Sequence, residues 1–83
     1  REIKMTVYFV TVLIMLNVLP PLGWIQHTFA YTDKKLCEQY INEYKEEISL
    51  SLKANFGSTL VGIKQFKCMT YEQAIKRNLE LGH

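Results

Sequence analysis

The chain has 83 residues, enough for one small domain and too few for a deep catalytic cleft alongside a core of its own. Ten Lys and Arg against eight Asp and Glu leave a net charge of +2. These charges are dispersed rather than gathered into the basic footprint of a nucleic-acid binder, so nucleic acid is not an expected partner.

The charge map divides the chain. Between Lys4 and Asp33 there is no Asp, Glu, Lys or Arg, and the stretch from Met5 to Ile25 is MTVYFVTVLIMLNVLPPLGWI. As a helix it would span ~30 Å of hydrocarbon. No second apolar segment of matching length follows to bury it, so the spacing predicts a membrane-targeting segment. Two fates stay open. Arg1 and Lys4 in front, Pro20 and Pro21 as breakers, and Thr28 and Ala30 at −3 and −1 fit a signal peptide cut after Ala30. Leu22, Trp24 and Ile25 beyond the prolines fit a single transmembrane helix kinked at Pro20, with Trp24 at the interface and His27 among the headgroups. The expected organisation is thus a signal peptide or membrane anchor over 1–30 and a small exported domain over 31–83. That domain is expected in the periplasm or an equivalent oxidising compartment.

From Thr32 or Asp33, either of which can cap a helix, Cys37, Tyr40, Ile41, Tyr44, Ile48 and Leu52 recur at steps of three and four. They predict an amphipathic helix over 33–54, ended by Asn55, Gly57 and Ser58. The stretch TLVGIKQFKC, 59–68, is rich in β-branched and aromatic residues and predicts an extended return. It has no second strand to pair with, and Phe56, Leu60 and Ile63 also fit a helical stripe, so strand and helix both stay open. Thr70 and Gln73 form a capping-box pattern for a second helix over 70–81, stopped by Gly82. The expected fold class is mainly α: a hydrophobic leader or transmembrane helix, then a helix, an extended segment and a helix.

Cys37 and Cys68 are the only cysteines. An exported miniature domain with an even cysteine count pairs them, the other reading being two free buried thiols. The outward helix covers ~27 Å and the extended return ~30 Å, which brings the two cysteines together.

No phosphate-binding glycine loop, nucleophile–histidine arrangement or metal-ligand cluster occurs, so neither enzyme activity, cofactor nor metal is expected. His83 is the one histidine after residue 30, too few for zinc. Glu43, Glu46 and Glu47 form a solvated helix face. A core this small leaves apolar surface uncovered, and Tyr40, Tyr44, Leu50, Leu60 and Phe66, with Lys64 and Lys67 at the rim, are the expected partner contacts. Self-association through the same surface, with the lone strand pairing across a dimer axis, is the competing use.

The run YTDKKLCE, Tyr31–Glu38, follows an apolar leader ending in Ala and precedes an acidic helix and one distant cysteine. That layout resembles the Spackle family, small periplasmic superinfection-exclusion proteins of tailed phages. The resemblance implies a helical fold with one disulfide and inhibition of an incoming phage's lysozyme. It covers those residues and the layout, and no inhibitory contact carries over. Two functions are therefore expected in competition: an exported protein-binding module or lysozyme inhibitor, and a single-pass accessory subunit of a larger membrane complex.

Overall fold

The computed structural model describes residues 6–82. In chain order the elements are strand β1 (Tyr8–Leu16), strand β2 (Leu22–Tyr31), helix α1 (Lys34–Phe56), strand β3 (Leu60–Met69) and helix α2 (Tyr71–Glu80). A short 3₁₀ turn, Gly57–Thr59, links α1 to β3. The strands form one antiparallel sheet in the order β2-β1-β3.

The mainly-α expectation is overturned, and with it the hydrophobic leader as a helix. Residues Tyr8–Leu16 and Leu22–Tyr31 are strands of the sheet, and among the described residues no helix is long and apolar enough to cross a membrane. The physical reason lies inside the apolar run itself. Tyr8, Phe9, Val10, Thr11, Val12 and Ile14 are β-branched or aromatic and favour the pleat. Pro20 and Pro21 break the run into segments of 9 and 10 residues, each a full-length strand and each too short for a transmembrane helix. The run needs no outside partner because it folds back on itself: Met15 faces Leu22 and Tyr8 faces Tyr31. Trp24, expected at a membrane interface, is buried in β2, and His27 lies half-buried beside Tyr40. Arg1, Lys4, Met5, His83 and the Thr28 side chain lie outside the described residues.

As the middle strand, β1 is covered on both sides, which makes its sequence a near-continuous apolar run. Val10, Val12 and Ile14 point to one face and join Cys37, Ile41, Ile48 and Leu52 of α1 and Cys68 of β3 in the core. Thr11, between them, is buried on the other face, and its hydroxyl donates to the Lys67 carbonyl at 2.6 Å. The return segment, for which the sequence offers no partner strand, pairs with β1 along its length.

The helix ends follow from local chemistry. Asp33 Oδ1 accepts from the Lys35 N–H at 2.9 Å and caps α1. Gly57, at φ +58°, supplies the left-handed residue that stops it, and its N–H donates to the Lys53 carbonyl. Thr70 and Gln73 close a capping box on α2. Cys37 and Cys68 form a disulfide tying the first turns of α1 to the end of β3, with Cα atoms 6.1 Å apart.

Candidate functional site

The structure divides the expected contact residues between the two flanks of α1. Tyr40 and Tyr44 lie on the β2 side, where their rings are 4.8 Å apart, and His27 and Tyr31 from β2 stand 6.2 and 6.0 Å from Tyr40. Partial burial holds the His27 imidazole below its ordinary 6.5. Desolvation first, and then the neighbouring Tyr40 and Tyr44, raise the Tyr31 hydroxyl. This cluster packs the flank of α1 onto β2, and of its rings only Tyr44 is exposed.

Leu50, Leu60 and Phe66 lie on the other side, where α1 faces β3. Lys67, opposite Thr11, belongs to the far face of the sheet and borders this side at one end, and Lys64 stands exposed at a register shift of the edge strand. Three shallow depressions follow one another along this seam. The central one, about 420 Å³, has Leu50, Ile63 and Phe66 as its apolar lining and Lys45, Lys53 and Glu46 at its rim. Ser49, Lys53 and Ile63 are shared with a second beside Leu60 and Val61, and Phe66 with a third beside Glu38 and Lys67. Together they form a groove between a helix and an edge strand. Leu50 is 65 % exposed and Val61 60 %, so the groove offers apolar surface to solvent. Phe66 is half-buried beneath Lys45, whose Nζ lies 5.2 Å from the ring centroid.

Lys45, Ser49, Lys53 and Ile63 were not among the expected contact residues. The first three recur at four-residue steps in the sequence, and that spacing places them on one flank of the predicted helix. Ile63 could be placed only once the direction of β3 was known.

The free edge of β3 is irregular. Register shifts leave Lys64 and Val61 as extra residues opposite β1, while Gln65–Met69 run in regular register. Bulges and an edge lysine blunt the Leu60–Lys64 half of the strand against pairing. Glu43, Glu46 and Glu47 are exposed on α1. Among the described residues no three of His, Cys, Asp and Glu come together as a metal site.

In comparisons with family models, with curated proteins and with solved structures, nothing matches this chain. Among the described residues, the disulfide speaks to compartment, and it points to an oxidising one.

Proposed function

We propose that the chain is a small exported protein-binding module whose α1–β3 groove takes an extended segment of a partner protein. One observation carries this reading: an apolar depression lined by Leu50, Ile63 and Phe66 continues through Phe66 into a second one beside the start of the regular stretch of the edge strand, where Gln65, Phe66 and Lys67 still reach solvent before Cys68 and Met69 are buried. An extended peptide laid there can add main-chain hydrogen bonds to the edge and drop alternate side chains into the groove. Lys45, Lys53 and Lys67 against Glu38 and Glu46 favour a segment whose apolar anchors are flanked by acidic residues. Export rests on the disulfide. The phage lysozyme suggested by the Tyr31–Glu38 resemblance is the first protein to try, although the sheet departs from the helical fold that resemblance implies.

Selection of a random-peptide library on the disulfide-bonded protein, followed by titration of a purified tailed-phage lysozyme, tests the proposal. Acidic peptides with alternating apolar residues are expected. Leu50→Ala should weaken their binding by at least about fivefold, an anchor's worth of roughly 1 kcal/mol, with unchanged circular dichroism. Lys53→Glu should act in the same direction. Peptides and lysozyme that bind both variants like the parent would remove the groove from consideration. Concentration-dependent self-association abolished by Leu50→Ala would show that the groove takes a second copy instead.

A further inference from the structure

We propose a second site, independent of the groove: an anion-binding cleft for a multiply charged phosphate group, where α1 begins, β3 ends and α2 passes. Lys34, Lys67, Lys76 and Arg77 line one cleft of about 530 Å³, with Gln73 and Glu80 on the same wall. Four cations against one carboxylate leave a local excess of three charges, larger than the +2 of the whole chain. Lys34, Lys76 and Arg77 are exposed and Lys67 is half-buried, so the charges ring a cleft that opens to solvent.

The backbone that carries each cation is placed by a different local device. Lys34 is the first residue of α1, next to the Asp33 cap, so it stands at the positive end of that helix. Lys67 precedes Cys68, which the disulfide fixes. Lys76 and Arg77 are placed by the capping box that starts α2 and by Asn78, which is hydrogen-bonded to the Trp24 backbone. Like charges brought together in this way repel until a counter-charge fills the space, and the planar guanidinium of Arg77 matches two phosphate oxygens at once. The cleft falls in the volume range of small-ligand sites, ~300–1,000 Å³. That is room for more than a single phosphate, so a bisphosphate or a phosphate ester is the class that fits. Such chemistry could come from a soluble phosphorylated compound or from the headgroups of an anionic lipid.

Lys67 also lines one end of the groove, so the test rests on residues that do not. Calorimetric titration of the disulfide-bonded protein with pyrophosphate at low salt should show one saturable site. Lys76→Gln and Arg77→Gln should each weaken it at least tenfold, while Leu50→Ala leaves it unchanged. If Arg77→Gln fails to fold, Lys34→Gln, an exposed residue, takes its place. Co-sedimentation with phosphatidylcholine vesicles containing phosphatidic acid, whose headgroup is a phosphate monoester, separates the sources. Vesicle binding that is lost in the variants and displaced by pyrophosphate identifies a headgroup, and pyrophosphate binding alone identifies a soluble ligand. No saturable binding, or an affinity that the variants leave unchanged, overturns the proposal.

Discussion

Helix α1 buries Cys37, Ile41, Ile48 and Leu52 against the sheet and is bonded to β3 by a disulfide, whereas α2 has no buried residue. Tyr71, Ile75 and Leu79 of α2 are 61, 44 and 64 % exposed. What anchors α2 is polar. Asn78 Oδ1 accepts from the Trp24 N–H at 2.8 Å, and Asn78 Nδ2 donates to the Trp24 carbonyl at 3.1 Å. One side-chain amide thereby satisfies a backbone pair on the outer edge of β2, a role that a fourth strand would otherwise fill. The largest connected cluster of buried side chains therefore lies where α1 meets β1 and β3. On the α2 side the sheet buries Thr11, Trp24 and Met69, while α2 itself buries no residue and carries exposed polar and cationic groups.

The largest break in this comparison comes from the middle of β1. Val12 is fully buried between α1 and the neighbouring strands. Val12→Asp puts an unpaired carboxylate there, at a cost of about 4 kcal/mol or more, on the order of the whole stability of a domain this size. Loss of the folded circular dichroism spectrum is the expected result. Next comes the disulfide, which closes a loop with a sequence separation of 31. Cys37→Ser, or reduction, should cost roughly 3–4 kcal/mol in the chain-entropy model, read as a lowered urea midpoint. Asn78→Ala should cost less, about 1–3 kcal/mol, since it leaves the Trp24 N–H and carbonyl without their partner. It should also raise amide exchange in α2 more than in α1, which separates local release from general destabilisation.

The smallest expected effect is in pH. Burial holds His27 below 6.5 in the folded state, so the unfolded chain binds the proton more readily. Stability should be at its full value above pH 6.5 and decline as pH falls from there toward the folded pKa. Thermal melts of the parent and of His27→Gln across pH 7.5 to 5 would check this, with the decline shallower in the variant.

Much of α1 and α2 was legible because their signals are local, whereas 59–68 fitted both an extended segment and a helical stripe until its partner strand was known. The three- and four-residue spacing of Cys37, Tyr40, Ile41, Tyr44, Ile48 and Leu52, the Thr70–Gln73 pair and the Gly57 stop each act within a turn or two. Strands β1 and β2 were not legible as strands. A central strand covered on both faces and a hydrophobic leader have the same unbroken apolar composition, and length decides between them. The deciding residues were Pro20 and Pro21, which halve the run, together with the β-branched density of Val7, Val10, Thr11, Val12 and Ile14. An extended segment without a partner, 59–68, was itself a sign that another strand lay in the chain. For the groove, Leu50 and Phe66 could be picked out by composition. Their separation from Tyr40 and Tyr44 depends on which flank of α1 faces β3, and the sheet order sets that.

Amide hydrogen exchange followed by NMR on the disulfide-bonded chain tests most directly whether residues 8–16 form the innermost strand of one domain. The Val10, Thr11 and Val12 amides should be among the slowest in the molecule, opening only with global unfolding, and α2 amides should exchange faster through local release. Rapid exchange throughout 8–16 beside a protected α1 would contradict the account, because it would mean that the helix and disulfide fold without the strand on which they are described as packing.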